Sequence, residues 1–199
     1  MTIELRSDLC RLCDAHGRRV VEAYRSGNNE ASRAYSFGGA DLDHRLHADG
    51  RKAECAFAIW CDRDPYEVLD WSDHADDGKD LLLDELLRVD VKSTRPSGRL
   101  LLWPILKNPI YLKKKFHIMA LMRGTGANWE DPLGWIDKDR FWRDKITADE
   151  RTAPKLIAGT WFMHRDDLYP MHDFDEQRRL AAISIRAGIQ WRYVQGLWP

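Results

Sequence analysis

The sequence predicts an α/β protein in which a central mixed β-sheet is flanked by helices. Apolar residues recur with helical spacing over residues 7–24 and 50–61. Apolar and polar residues alternate over residues 88–94, as on a half-buried strand, and residues 116–122 are apolar on both faces, as in a central strand. The 199 residues contain no internal repeat and are enough to bury a sizeable core. We therefore expect one domain, with its core at about residues 50–146 and helical flanks.

The helices begin with a segment from Ser7, a suitable N-cap, to Tyr24, which Gly17 weakens. The polar stretch from Ser26 to Asp49 predicts a long loop. Helix returns from Gly50 to Cys61, where small residues indicate close packing on the sheet. Its apolar positions are Ala53, Phe57 and Trp60.

The strands follow an acidic loop at Asp73–Lys79 and an apolar run at residues 81–83. Over residues 88–94, Val89 and Val91 point to one face because side chains alternate along a strand. The other face receives Arg88, Asp90, Lys92 and Thr94. Further strands are predicted at Arg99–Trp103, Phe116–Met122 and Ala158–Met163.

Two helices are predicted in the last third of the chain. Residues 136–146 form a short one capped by Asp137. Residues 174–194 form an amphipathic one that closes near Gly196 and either covers the core or pairs with another chain. Its apolar side carries Leu180, Ile183, Ala187, Trp191 and Val194.

Composition and charge limit the class of protein. No stretch approaches the roughly 18 apolar residues of a membrane helix, and the N-terminus has no secretion signal, so we expect a soluble cytoplasmic protein. The four cysteines are expected to be thiols. The formal net charge of −1 gives no global positive field, so a nucleic acid would have to be held by local basic patches. The candidate patches are Lys113–Lys115, Arg178–Arg179, and the set Arg88, Lys92, Arg95 and Arg99.

The residues that suggest chemistry are Asp90 and Lys92, which would project from one strand into the same half-buried space. Such charges are costly to bury unless they pair with each other, with a metal or with a phosphate. Asp80 can supply a second carboxylate from a preceding strand. Glu54 is a third, on an apolar helix where a lone glutamate needs a partner.

Three converging carboxylates form an oxygen-rich site that suits Mg²⁺ or Mn²⁺. Such an ion polarises a phosphoryl oxygen and lowers the pKa of a bound water. Lys92 would orient or deprotonate the attacking water and stabilise the phosphorane.

This order of residues resembles the PD-(D/E)XK nuclease superfamily, which has the restriction-endonuclease-like fold. The segment Gly50-Arg-Lys-Ala-Glu-Cys-Ala-Phe-Ala58 is similar to its first core helix. The run Asp80-Leu-Leu-Leu, followed by Arg88-Val-Asp-Val-Lys-Ser-Thr94, is similar to its catalytic hairpin, although no proline precedes Asp80. With Gly134-Trp-Ile-Asp-Lys-Asp-Arg-Phe141, the resemblance to small phage and prophage members covers roughly residues 50–146.

The resemblance implies a Mg²⁺- or Mn²⁺-dependent endonuclease acting on DNA in a bacterial or phage-infected cell, with a homodimer as the hypothesis for cutting both strands. Glu54, Asp80 and Asp90 would bind the metal and Lys92 would assist the water. DNA phosphates would be held by Arg95, Lys113, Lys114 and Lys115. Because the segment after Asp80 is rich in helix formers, Asp76, Asp77 and Asp84 are rival ligands.

Alternative interpretations remain open from the residues alone. Asp90 and Lys92 could form a plain ion pair while Glu54 binds a local donor. A non-catalytic nucleic-acid or protein-binding module is the second functional class, and it could carry zinc at Cys10, Cys13, His44 and His47. His117 is expected to be a satisfied strand histidine. Some of the nine tryptophans could stack on unpaired bases, although most should lie in the core.

Overall fold

A computed structural model describes residues 2–25, 44–69 and 81–188. Helix α1 spans Ser7–Arg25 and α2 spans His44–Trp60; α3 (Lys138–Asp144) and α4 (Phe174–Arg186) follow later. The described strands are β1 (Thr2–Glu4), β2 (Leu81–Leu83), β3 (Leu87–Thr94), β4 (Leu100–Trp103), β5 (Ile118–Thr125), β6 (Asn128–Glu130), β7 (Gly134–Asp137), β8 (Ile146–Thr147) and β9 (Trp161–His164). The protein is therefore mixed α/β, and its sheets are flanked by helices.

The larger sheet curls around β5, the central strand that the apolar run at 116–122 predicts. β5 pairs in parallel with β3 on one side, and antiparallel with β7 and β6 on the other. β1 extends the sheet beyond β6, and β2 is the strand beyond β3, so the strand order is β1-β6-β5-β3-β2. One parallel pair among antiparallel pairs confirms the mixed sheet.

A smaller three-stranded sheet, in the order β4-β9-β8, was not predicted as a separate unit. Trp103 at the end of β4 is paired with Trp161 at the start of β9. β4 and the following 3₁₀ helix, Ile105–Lys113, belong to the connection between β3 and β5. This connection covers one face of β3.

The two faces of the larger sheet can be assigned from side-chain alternation. Val91, Ala120 and Trp135 are paired across β3, β5 and β7, so they share a face. Trp135 meets Phe174 edge to face at 5.8 Å, and Phe174 meets Phe57 of α2 at the same distance. Helices α2 and α4 therefore lie on this face.

Helices α1 and α2 pack closely at Gly17. A Cβ atom there would lie 2.3 Å from the carbonyl oxygen of His44, which a side chain cannot occupy. The glycine that weakened the predicted helix is therefore required by its packing. Because α2 begins at His44, the loop predicted up to Asp49 is wrong over residues 44–49; residues 26–43 lie outside the described residues.

The hairpin between β2 and β3 turns without glycine. Asp84 and Glu85 both have positive φ, 49° and 65°, and the Leu86 amide donates to the Leu83 carbonyl. This is the pattern of a type I′ turn, the turn that suits the twist of a hairpin. Residues 81–83 are thus a strand, although their composition also favours helix.

Among the later elements, α3 and β9 lie within a few residues of their predicted bounds. Asp137 caps α3 by accepting from the Arg140 amide at 2.8 Å, as predicted. Helix α4 ends at Arg186 with Ala187 as its C-cap, so the prediction of one helix over residues 174–194 is wrong at residues 187–188; residues 189–199 lie outside the described residues. Its buried residues include Phe174, Gln177 and Ala181. Leu180 and Ile183 of the predicted apolar side are exposed instead. No helix within the described ranges is long and apolar enough to cross a membrane.

Candidate functional site

Strand β3 places Asp90 and Lys92 together on the face opposite α2. Lys92 Nζ lies 2.5 Å from Asp90 Oδ2. The alternation of β3 leaves Val89 and Val91 on the helix side, as the sequence predicts. The two charged groups therefore share one space, as predicted, and they form the ion pair that the alternative interpretation also expects.

Asp90 is the most deeply buried carboxylate among the described residues. The residue has 0% exposure, and the Lys92 side chain has 16%. Neither carboxylate oxygen of Asp90 has a hydrogen-bond partner among the described residues, so the Lys92 contact is an ion pair without hydrogen-bond alignment. A buried carboxylate normally has its acceptor positions filled, and leaving them unfilled costs free energy. Asp90 thus retains the capacity to bind a cation or a water molecule.

The indole of Trp103 packs beside Lys92. Lys92 Nζ lies 5.1 Å from the ring centroid of Trp103, and Lys114 Nζ lies 5.9 Å from it. Trp103 is fully buried, and its Nε1 has no hydrogen-bond partner among the described residues. An ammonium group near an indole ring is favoured by the ring quadrupole. The indole Nε1 of Trp103 is thus a buried donor, and the carboxylate of Asp90 a buried acceptor, without a hydrogen-bond partner among the described residues.

Other groups beside Asp90 respond to burial and to its charge. The pKa of Tyr111 is raised well above its usual range, first by burial and then by the negative charge of Asp90. Burial lowers the pKa of Lys138. The Lys138 ammonium donates to the carbonyl oxygen of Leu112 at 3.2 Å and also to that of Lys114. Lys138 therefore fastens the 3₁₀ helix to α3 over the Asp90 face.

Glu54 lies on α2, which covers the other face of the sheet. Its carboxylate accepts from Arg51 at 2.5 Å, and its side chain is 12% exposed. Arg51 also donates to the Val68 carbonyl at 2.8 Å. The glutamate therefore does have the charged partner that its apolar helix requires, and that partner is an arginine. The described contacts do not bring Glu54 to Asp90.

Asp80, Asp76 and Asp77 lie outside the described residues. Asp84, the remaining rival, lies in the β2–β3 turn, where its carboxylate is 3.2 Å from Arg178 Nε. The described ranges contain no group of three histidine, cysteine, aspartate or glutamate residues that could hold a metal ion. The three-carboxylate arrangement therefore stays a prediction.

The cysteines are free thiols, as expected, and the predicted zinc set does not form a group of three within the described ranges. Cys13 Sγ lies 3.9 Å from Cys55 Sγ at the interface of α1 and α2. Cys10 donates instead to the carbonyl oxygen of Leu5 at 3.9 Å. These thiols serve the packing of the two helices.

The residues predicted to hold phosphates lie at both ends of β3. Arg95 is exposed directly after the strand. Lys113 and Lys115 are exposed near its start, where Arg88 donates to the Lys115 carbonyl at 3.5 Å. At about 3.3 Å per strand residue, the seven steps from Arg88 to Arg95 span roughly 23 Å. Asp90 and Lys92 lie between the two basic positions.

His117 is satisfied, as predicted, and lies beside Arg88 rather than in the site. Its Nδ1 accepts from the Arg88 amide at 3.0 Å, and its own amide donates to the Arg88 carbonyl at 2.9 Å. Burial, and then the positive charges of Arg88 and Lys138, lower the pKa of its ring. His117 thus ties the start of β3 to β5 as a neutral ring.

A row of aromatic rings that the sequence did not reveal runs outward from Lys92. We call Trp103, Tyr111, Trp142 and Trp161 the aromatic row. Tyr111 lies 4.7 Å from Trp103 and 5.6 Å from Trp142, while Trp161 lies 5.2 Å from Trp142. The only available signal was the high number of tryptophans, because residues 103, 111, 142 and 161 have no common spacing.

Comparison of the chain with protein-family models, with curated proteins and with solved structures gives no significant match.

Proposed function

We propose that the protein is a Mg²⁺- or Mn²⁺-dependent deoxyribonuclease that cuts phosphodiester bonds endonucleolytically. The observation that carries this proposal is the Asp90 carboxylate, which is fully buried, beside Lys92, and without a hydrogen-bond partner among the described residues. The resemblance of residues 50–146 to PD-(D/E)XK nucleases, with their restriction-endonuclease-like fold, supports it.

Asp90 fits the role of a metal ligand because its oxygens have unused acceptor capacity. Asp80 is the proposed second ligand; its sequence neighbour Leu81 is paired with Val89, the neighbour of Asp90. Glu54 is the third ligand that the resemblance implies, but it is bound to Arg51 on α2, across the sheet from Asp90, so the proposal rests on Asp90 and Asp80. A bound Mg²⁺ or Mn²⁺ would supply Lewis acidity and a more acidic water.

Lys92 is the residue proposed to assist the reaction. Its ammonium is held between the Asp90 carboxylate at 2.5 Å and the Trp103 ring at 5.1 Å. In this place it can hold the attacking water and offer positive charge to the oxygens that become more negative in the transition state. Preorganised charge in a water-poor site contributes most to such stabilisation.

The DNA backbone is proposed to approach the site at the two ends of β3, because the connection between β3 and β5 covers Asp90. Arg95 lies at one end of the strand, and Lys113 and Lys115 at the other. Lys114 lies deeper, beside Trp103. Because phosphate contacts position a nucleic acid without reading its sequence, these residues would set the register of the cut. We further propose that the enzyme acts in the cytoplasm, and as a homodimer where both strands are cut.

Cleavage of supercoiled plasmid and of short DNA tests the proposal. The protein is incubated with EDTA, Mg²⁺ or Mn²⁺, and products are separated on gels. Asp90→Asn and Lys92→Met should each lower the cleavage rate at least about 100-fold, whereas the exposed-site controls Asp166→Asn and Lys155→Met should not. Cleavage that is independent of metal, or equal in all four variants, would refute the nuclease.

Glu54→Gln and Asp80→Asn test the other two ligands separately. A ligand variant should need a higher Mn²⁺ concentration for half-maximal rate, because metal affinity falls when a donor is lost. If the wild-type protein binds DNA in these assays without cutting it, the non-catalytic binding module is the better description.

A further inference from the structure

An exposed tryptophan ends the aromatic row at the surface. Trp142 is 39% exposed, although Tyr111 stacks on it at 5.6 Å with an interplanar angle of 18°. Trp103 and Tyr111, further along the row, are fully buried. Part of the Trp142 side chain is therefore open to solvent, while Tyr111 and Trp161 hold the ring in place.

The surroundings of Trp142 are positively charged. Lys145 Nζ lies 3.9 Å from the Trp142 ring centroid and 4.7 Å from that of Trp161. The exposed Lys113 and Lys115 follow Tyr111 closely along the chain. The surface thus combines a ring with several cations.

The carboxylate nearest to Trp142 in sequence does not cancel this charge. Asp144 lies 2.7 Å from Arg143 Nε and 3.4 Å from Arg140 Nε, so two guanidinium groups offset it. Burial lowers the pKa of Lys145, in keeping with an ammonium pressed against two rings. Residues 138–145 contain two acidic side chains, Asp139 and Asp144, against four basic ones, so this surface has an excess of positive charge that suits a polyanion.

Resting on the proposed nuclease function, we propose that Trp142, with Lys145, Lys113 and Lys115, binds the unpaired strand of a DNA substrate by stacking one base on the indole. An exposed ring among lysines is the combination with which proteins hold single strands, since every base has a π-face and every linkage a negative phosphate. Bases inside a duplex are stacked on each other and cannot reach such a ring. The substrate class is therefore DNA with a single-stranded region next to the cut.

The distance from Trp142 to the proposed cutting site suits this substrate. Ring contacts of 5.6 and 4.7 Å lead from Trp142 through Tyr111 to Trp103, and Lys92 lies 5.1 Å beyond. The whole path is at most about 15 Å, or four to five stacked nucleotides at about 3.4 Å each. We expect cleavage within that number of nucleotides from the stacked base.

Binding is measured first in EDTA, so that no cutting occurs. Fluorescence anisotropy of labelled oligothymidylate of about 15 nucleotides is compared with that of a blunt duplex of equal length. The wild-type protein should bind the single strand more tightly, and Trp142→Ala should weaken that binding about tenfold or more. Trp142→Phe should retain most of the affinity, and Lys145→Gln should reduce the salt dependence of binding.

Tyr66→Ala is the matched control, because Tyr66 is also an aromatic residue with 39% exposure but lies on the 3₁₀ helix Pro65–Val68. Circular dichroism and thermal unfolding check that each variant is folded; if Trp142→Ala is not, the comparison of Trp142→Phe with Trp142→Leu replaces it. Equal affinity of that pair, or a wild-type preference for duplex, would overturn the inference. Single-strand binding without metal-dependent cleavage would refute the nuclease alone, whereas cleavage that is indifferent to Trp142 would refute the stacking surface alone.

Discussion

Asp90 and Lys92 lie two residues apart on β3 and hold their charged groups 2.5 Å from each other in an almost dry environment. Each charged group can be buried because it is paired with the other. Removing one partner of a buried pair costs about 3–5 kcal/mol, because the remaining charge is left uncompensated, whereas replacing both by apolar residues is often neutral.

The first prediction is a double-mutant cycle on this pair. Asp90→Leu or Lys92→Met alone should lower the free energy of unfolding by about 3–5 kcal/mol, and the double variant should lose less than either. Urea unfolding followed by circular dichroism measures all four proteins. Additive losses in the double variant would show that the two side chains are not coupled. Arg63 and Glu67, an exposed pair 2.7 Å apart, provide the control cycle, with a coupling below about 1 kcal/mol.

The second prediction concerns metal binding without substrate. Mn²⁺ in large excess over its dissociation constant should raise the melting temperature of the wild-type protein by about 5 °C or more, because a ligand that binds only the folded state stabilises it. Asp90→Asn should remove this rise, while Asp166→Asn should keep it. Differential scanning fluorimetry with Mn²⁺ and with EDTA provides the comparison. An equal rise in the Asp90→Asn protein would place the cation elsewhere.

The third prediction is a pH dependence due to His117. The folded protein lowers the pKa of its ring below the ordinary value of 6.5, so the unfolded chain binds this proton more readily. The contribution of His117 to stability is complete above pH 6.5 and falls as the pH drops from 6.5 towards the lowered value. His117→Asn keeps an acceptor for the Arg88 amide but cannot titrate. Urea unfolding at pH 7.5 and at lower pH should therefore show a smaller loss in this variant; an identical loss would exclude His117 as its source.

The fourth prediction concerns the start of α3. Asp137 accepts from the Arg140 amide at 2.8 Å and from the Tyr169 hydroxyl at 3.2 Å. Asp137→Ala should destabilise the protein by about 1–2 kcal/mol through the lost cap. Asp137→Ser keeps a capping oxygen and should recover most of that loss in chemical unfolding. If Tyr169→Phe costs as much as Asp137→Ala, the tyrosine bond rather than the cap is the main contribution.

The parts of the fold that sequence could predict are those governed by local chemistry. Alternation fixed the faces of β3, and an aspartate before a helical segment identified the cap of α3. The start of α2 could not be predicted because residues 44–49 lack an apolar period and are held in helix by contact with α1 at Gly17. The β2–β3 turn could not be predicted either, since Asp84 and Glu85 adopt positive φ without the usual glycine.

The candidate site was predicted in part for the same reason. Asp90 and Lys92 share one strand, so their proximity follows from the two-residue period. Trp103 and Trp142 reach their places through pairing between β4 and β9 and through packing of α3, which join distant parts of the chain. The sequence indicates Glu54 as a buried charge but does not identify Arg51, one helical turn away, as its partner.

The smaller sheet joins parts of the chain that are far apart in sequence. Trp103 lies beside Lys92 because its strand, β4, is paired with β9, some sixty residues further along the chain. β9 is paired in turn with β8. A fragment that stopped at residue 146 would keep every residue of the proposed chemistry and lose the strand that anchors the indole. The surroundings of Lys92 therefore depend on a strand from a distant part of the chain.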